Sequence, residues 1–295
     1  MDLQHICIVN ESTESSEPQG GVLYLVGTPI GHRGDLSPRA QVVLSGVDCI
    51  ACEDTRHSGL LLHGFGIRRP LVSFHEHNQK QRIPELLNTL EVGKSLALIS
   101  DAGLPGISDP GEELVAAARK VGHQVVCIPG PCAATTALVS SGLPSGRFCF
   151  EGFLSIKPKE RKNRLIAIAA ENRTTVLYEA PHRLVRLLEE LISLCGAERP
   201  VQVARELTKR HEQQVGPDLA TALVHFQTNT PQGEFTLVLG GAKPAKQEPW
   251  DEKQLKSELE GLIAGGLSAS EAAKQLAQIT GQQRRVLYGL LHKAD

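Results

Sequence analysis

Residues 100–111, Ser-Asp-Ala-Gly-Leu-Pro-Gly-Ile-Ser-Asp-Pro-Gly, concentrate the small, rigid and acidic side chains from which a ligand-binding loop is made. Glycines let the backbone approach a bound molecule, and prolines stiffen the loop before it arrives. The apolar run at 96–99 has the length of a buried strand, and residues 112–119 combine acids in a first turn with good helix formers. Strand, glycine-rich loop, helix is how an open α/β sheet holds ligands outside the carboxyl ends of its strands. Two more strand-and-loop pairs repeat the pattern: 22–26 running into Gly27-Thr28-Pro29-Ile30-Gly31, and 125–128 running into Pro129-Gly130-Pro131-Cys132-Ala133. Three such loops on neighbouring strands would build one shared crevice.

Other groups could act beside that crevice. Glu53-Asp54-Thr55-Arg56 follows an expected strand at 47–52 and faces the same side. By residue type it is either a solvated loop or a functional cluster of acids and a cation. Cys49 and Cys52 form a C-x-x-C inside that strand, with no second pair to complete a zinc site, so they are expected to be packing residues. His75-Glu76-His77 invites a metal reading, but H-E-x-x-H is absent, and a polar rim near the substrate is the expectation. Gly93-Lys94-Ser95 mimics the end of a phosphate-binding loop. Asn88 stands where the earlier glycine belongs and the strand follows the motif, so this is read as a helix-to-strand turn. Between 157 and 164 lie five cations, Lys157, Lys159, Arg161, Lys162 and Arg164, against one acid, Glu160. A basic run there could be a solvated loop or helix start, and phosphate contact is the favoured reading.

These groups need elements to position them. The α/β alternation predicts a domain over 21–143 and a second over 146–242, separated at Gly142-Leu143-Pro144-Ser145-Gly146. Strands are expected at 71–74, 147–154, 174–178, 201–205 and 235–239. Helices are expected at 39–44, 184–194 and 218–226, with a helix remnant at 60–65. Residues 1–20 read as a mobile extension rich in Ser, Glu and Gly. Residues 250–295 read as a helical tail: Ser268 to Glu271 is a capping box, Ala272, Ala273, Leu276 and Ala277 share a face, and Gly281 breaks the helix. Val286, Leu287, Leu290 and Leu291 give the next helix its apolar side, which makes a helix-turn-helix-like unit bearing Arg284 and Arg285.

The composition, 41% hydrophobic and 22% charged with a formal charge of −2, is that of an ordinary globular chain. It excludes the global basicity of a non-specific nucleic-acid binder, so contact with RNA must use local charge. No apolar run approaches a membrane span, and no export signal is expected at the N-terminus. Seven scattered cysteines fit a reducing cytoplasm.

The loops, together with Leu23-Tyr24-Leu25-Val26-Gly27-Thr28-Pro29-Ile30-Gly31, Glu53-Asp54-Thr55-Arg56, Tyr178-Glu179-Ala180-Pro181-His182-Arg183, Arg205-Glu206-Leu207-Thr208-Lys209 and Gly233-Glu234, carry a resemblance. The chain from about Gly21 onward resembles the tetrapyrrole (corrin/porphyrin) methylase superfamily. Within it, the chain looks like the bacterial small-subunit (16S) ribosomal RNA cytidine-2′-O-methyltransferases. That resemblance implies a two-domain α/β fold with a cofactor cleft between the domains, S-adenosylmethionine (SAM) as cofactor, no metal, and a cytoplasmic homodimer acting on small-subunit rRNA or the assembled subunit. The implied cofactor residues are Pro29, Ile30, Asp101, Gly103, Ile107, Cys132, Ala133, Tyr178 and Gly233. Asp54 or Glu53 becomes the candidate base, with Arg56 orienting it or holding a phosphate. Glu179, Glu206 and Lys209 could also reach the junction. Lys157, Lys159, Arg161, Lys162, Arg164, Arg284 and Arg285 are the expected RNA contacts. Methylation of a small molecule such as a tetrapyrrole, or a non-catalytic ribosome-binding module, are the rival readings.

Overall fold

The computed structural model describes residues 18–243 and 250–291; residues 1–17 of the expected extension lie outside the described residues. Two five-stranded sheets organise the chain up to Ala242. The first has the order β3-β2-β4-β1-β5, with β1 at Val22–Val26, β2 at Cys49–Cys52, β3 at Leu71–Ser73, β4 at Leu96–Ile99 and β5 at Gln124–Ile128. Every pairing in it is parallel. A central parallel strand is covered on both faces, which is why β4 reads Leu-Ala-Leu-Ile and all four residues are buried.

Between these strands run α1 (Pro38–Gly46), α2 (Thr55–His63), α3 (Gln79–Glu91) and α4 (Glu112–Lys120), and α5 (Ala133–Ser140) follows β5. Ser37 caps α1 by accepting from the Ala40 amide, with Pro38 in the first turn. The expected helix remnant is a full helix, α2, that starts at Thr55 because Asp54 caps it. Cys52 is wholly buried in β2 and burial pushes its thiol up to about 11, as befits a packing residue.

The second sheet has the order β6-β7-β10-β8-β9, with β6 at Phe148–Phe153, β7 at Thr174–Glu179, β8 at Val201–Arg205, β9 at Gln213–Val215 and β10 at Phe235–Leu239. Only β6 and β7 are parallel; β10 runs antiparallel to both β7 and β8, and β9 antiparallel to β8. The three-residue, largely polar β9 carries no periodic signal, and the sequence reading has no counterpart for it. Around this sheet lie α6 (Pro158–Ala170), α7 (Pro181–Cys195) and α8 (Leu219–Thr228). α7 buries Leu184, Leu187, Leu188 and Leu191, the i, i+3, i+4, i+7 stripe of an amphipathic helix. The two sheets share a core: Ile30, Ala134, Ala137 and Leu138 from the first half pack with Val176, Ala204, Leu207 and Val238 from the second.

Residues from Lys243 form a separate compact unit. Its helices are α9 (Glu252–Ala264), α10 (Ala269–Thr280) and α11 (Arg284–Leu290). Capping boxes Asp251–Gln254 and Ser268–Glu271 start α9 and α10. α10 ends at Gly281, which adopts the left-handed conformation that glycine tolerates best. Leu255, Leu259, Ala272, Ala273, Leu276, Leu287 and Leu290 make the unit's core, whereas Val286, expected on the apolar face, is half exposed. Among the described residues no helix is long and apolar enough to cross a membrane.

Candidate functional site

The loops at the carboxyl ends of β1, β4 and β5 meet the ends of β6 and β7 and the start of β10 around a cavity of about 400 Å³. Eight of the nine expected cofactor residues line it: Ile30, Asp101, Gly103, Ile107, Cys132, Ala133, Tyr178 and Gly233. The ninth, Pro29, lines a neighbouring cavity. The β1 and β4 loops are tied by reciprocal backbone bonds, Thr28 amide to Gly103 carbonyl at 2.8 Å and Gly103 amide to Thr28 carbonyl at 3.1 Å. Gly103 has φ of +88°, a conformation that favours glycine, while a Cβ there would make only ordinary contacts with Ile30 and the Pro131 carbonyl. Across the cavity, the Tyr178 hydroxyl accepts from the Ala134 amide at 3.1 Å, joining β7 to the start of α5. Burial raises the Tyr178 hydroxyl above its ordinary value, so it stays protonated at neutral pH. Phe150 and Phe153 pack on its ring, with centroids 5.1 and 5.5 Å away.

Two smaller cavities share walls with the first. One, of about 260 Å³, is reached past Ser108 and Asp109 and is bordered by Glu76, Glu112 and Glu113. The other, of about 340 Å³, shares Ile30, Asp101, Ala102 and Glu234 and is bordered by Arg33, His57, Leu60, Leu61 and Lys209.

The expected acid–base cluster is rearranged. Asp54 spends both oxygens on Arg56, whose amide donates at 2.8 Å and whose guanidinium donates at 2.8 Å. These bonds hold the Asp54 carboxyl far below the usual range and make it the cap of α2. Arg56 points outward, its side chain 88% exposed, and neither it, Asp54 nor Glu53 borders any of the three cavities. Glu53 is partly buried; desolvation, then the nearby Asp101 charge, raise its carboxyl, and His75 opposes them. The carboxylates that do face the main cavity are Asp101, Asp109, Glu179 and Glu234. Asp109 is pushed up to about 6 by burial and by the charges of Glu53 and Asp101, partly offset by a bond from Ser100. The position of Asp109 inside the Ser-Asp-Pro-Gly half of the loop is the signal by which sequence reasoning could have found it. One oxygen of Asp101 accepts from the Asp54 amide at 3.3 Å.

The basic run is likewise rearranged. It is not a loop but the start of α6, and its central cation, Arg161, is buried. Arg161 bonds Glu190 at 2.8 Å and Glu179 at 3.4 Å, while Arg183 pairs with the other oxygen of Glu179 at 3.0 Å. A buried carboxylate at the end of β7 needs these partners, so Arg161 serves the core and is withdrawn from the expected phosphate contacts. Lys157 pairs with Glu160 at 3.0 Å and Arg164 with Glu151, leaving Lys159 and Lys162 exposed without a carboxylate partner among the described residues. In the separate helical unit, Arg284 and Arg285 are exposed at the start of α11, and Arg284 also bonds the Ser270 hydroxyl.

The segment after β8 closes over the β1 loop in a way the sequence does not announce. Glu206 and Thr208 both have positive φ, +52° and +64°. The Thr208 hydroxyl accepts from the His32 amide at 3.0 Å, and its own amide donates to Glu212 at 2.8 Å. Lys209 is held by Glu206 and Glu234, each at 3.0 Å. Strained residues fixed by such contacts position the 209 side chain at the cavity wall.

Residues 22–223 match the family model described as Tetrapyrrole (Corrin/Porphyrin) Methylases. The chain is 52% identical to a Synechocystis protein named ribosomal RNA small subunit methyltransferase I, over 92% of this chain and 97% of that one. It is 45% identical to the protein of the same name from Escherichia coli O157:H7, over 93% and 96%. Among solved structures, it shares the fold of a uroporphyrin-III C-methyltransferase from Thermus thermophilus complexed with S-adenyl homocysteine. That likeness has a TM-score of 0.53, with 18% identity, 74% of this chain and 96% of that one. The crevice of rigid loops and the end-to-end likeness lead to one assignment: the chain belongs to the tetrapyrrole (corrin/porphyrin) methylase family, in the branch of the ribosomal RNA small subunit methyltransferases I.

Proposed function

We infer that this protein is a SAM-dependent methyltransferase of small-subunit ribosomal RNA, and that the methyl lands on the ribose 2′-oxygen of a cytidine. The observation that carries the reading is the match over nearly the full length of a relative with that RNA in its name, at 52% identity. The main cavity fits the cofactor: about 400 Å³ is within the range of small-molecule sites, its wall is largely apolar, and carboxylates border it to favour a cation. Bound there, SAM supplies a methyl on a positively charged sulfur that leaves with the bonding pair, so the chain need only align the acceptor and take one proton. Gly103 lets the β4 loop lie close to the ligand, Tyr178 and Ala133 shape the far wall, and Asp101 and Asp109 supply negative charge. Asp101 replaces Glu53 and Asp54 as the group to take the hydroxyl proton, because it borders the main cavity and its neighbour and is oriented by the Asp54 amide. Of the expected phosphate contacts, Lys159, Lys162, Arg284 and Arg285 are exposed with no carboxylate partner among the described residues. The enzyme acts as a homodimer in the cytoplasm, as the family resemblance implies.

Alkaline cleavage of RNA uses the 2′-oxygen, so the product tests itself. Small subunits from cells lacking the protein are incubated with it and labelled SAM, and their RNA is then hydrolysed in alkali. Label retained in an uncleaved dinucleotide beginning with cytidine is the expected result. Label in a base-methylated mononucleotide, or none in RNA, overturns the assignment.

A further inference from the structure

An acceptor can approach the main cavity from either side cavity, and the two differ in chemistry. The one beyond Asp109 presents Glu76, Glu112 and Glu113 and no cationic side chain, so a phosphate entering it meets like charge from the side chains. The one beyond Asp101 joins both kinds of group that a nucleotide needs, a carboxylate for its hydroxyl proton and cations for its phosphate.

Its cations are not equivalent. Lys209 is compensated by Glu206 and Glu234. Arg33 is exposed and has no carboxylate partner among the described residues. Its guanidinium lies over the last turn of α2, where a Cβ at Gly64 would come within 2.9 Å of Nη1. The missing side chain at Gly64 makes room for Arg33, and the carbonyl end of a helix favours a cation there. His57, exposed on the first turn of α2, borders the same space, and Leu60, 71% exposed, and Leu61 give it an apolar side. A volume of about 340 Å³ suits a small-molecule-sized guest rather than a duplex.

We propose that this cavity is the acceptor subsite, seating one unstacked RNA nucleotide with its phosphate at Arg33 and His57, its base against Leu60 and Leu61, and its 2′-hydroxyl at Asp101. The inference rests on the RNA-methylation reading above. Recognition of a splayed nucleotide is the usual way a protein reaches a single position in RNA.

The test measures methyl transfer to unmodified small subunits and, separately, calorimetric SAM affinity, for Arg33→Glu, Arg33→Lys, Leu60→Glu and a Glu112→Gln/Glu113→Gln double variant. Arg33→Glu and Leu60→Glu are expected to raise the KM for subunits at least tenfold with SAM affinity within twofold, which also shows that the variants fold. Arg33→Lys should recover most of the loss, and the double Gln variant should stay within twofold of the parent. In an RNA-binding titration, Arg33→Glu should make the salt dependence shallower by about 0.7 in slope, one phosphate contact on a single strand. An unchanged KM for Arg33→Glu overturns the subsite, as does a larger KM change in the Gln pair than at Arg33. Absence of label in RNA with the parent protein would instead overturn the underlying reading.

Discussion

The five cations around the start of α6 and the two beside the Asp101 side cavity, Arg33 and Lys209, meet opposite circumstances. On α6, Arg161 is enclosed with Glu179 and Glu190, Lys157 and Arg164 are matched by Glu160 and Glu151, and two lysines remain. Beside the cavity, Lys209 is matched by two acids, whereas Arg33 has no carboxylate partner among the described residues and its guanidinium lies over Gly64. A dense basic run in a sequence therefore overstates the charge a ligand meets. A single arginine in an unremarkable Gly-His-Arg-Gly stretch can matter more, because an anion responds to charge left over after internal pairing.

The comparison can be broken or sharpened by substitution. Arg161→Ala should destabilise the fold by about 3–5 kcal/mol, since it strips a buried carboxylate of a partner. Urea unfolding checks it, and a change confined to RNA affinity would return Arg161 to the RNA surface. Asp101→Asn should lower kcat about a hundredfold, at the low end for a lost general base, with a smaller change in SAM affinity. Single-turnover transfer reads it directly. Lys159→Glu with Lys162→Glu should weaken RNA binding and make its salt dependence shallower by about 1.4 in slope, while stability stays within about 0.5 kcal/mol. If the slope does not move, α6 offers no phosphate contact at all.

A pH-dependent effect concerns the acidic side. Asp109 has its folded carboxyl raised to about 6, above the ordinary 3.8, so the folded state holds the proton more tightly than the unfolded chain does. The stability this lends is present below about pH 4 and is lost as the pH rises through about 6. Asp109→Asn should therefore raise the thermal midpoint relative to the parent above pH 6, and the difference should shrink towards pH 4. Melting curves at pH 4 and pH 7.5 decide it; an equal difference at both would show that Asp109 is not held in that state.

The loops of the main cavity were legible because their requirements are local. Gly103 at positive φ, the prolines around it and the apolar run of β4 each constrain the chain within a few residues, and eight of nine expected residues line the cavity. The stripe on α7 and the capping box of α10 were readable for the same reason. The placement of Asp101 at the cavity, with Asp54 turned away from it, was not. Asp54 and Arg56 stand two positions apart and look like a catalytic cluster until the helix start claims the carboxylate, and Asp101 gains its orientation from an amide 47 residues away.

By itself, then, the sequence determined every strand but β9, the glycine-rich turns, the capping box of α10 and the family. Those follow from backbone sterics and from apolar periodicity, which act over one or two turns of chain. Tertiary structure alone decided which charges survive. Arg161 meets Glu179 across 18 residues, His32 meets Thr208 across 176, and Arg33 finds its space over Gly64. Electrostatic partners are set by distance in space, and burial multiplies the consequence of each pairing, so no window of sequence contains the answer.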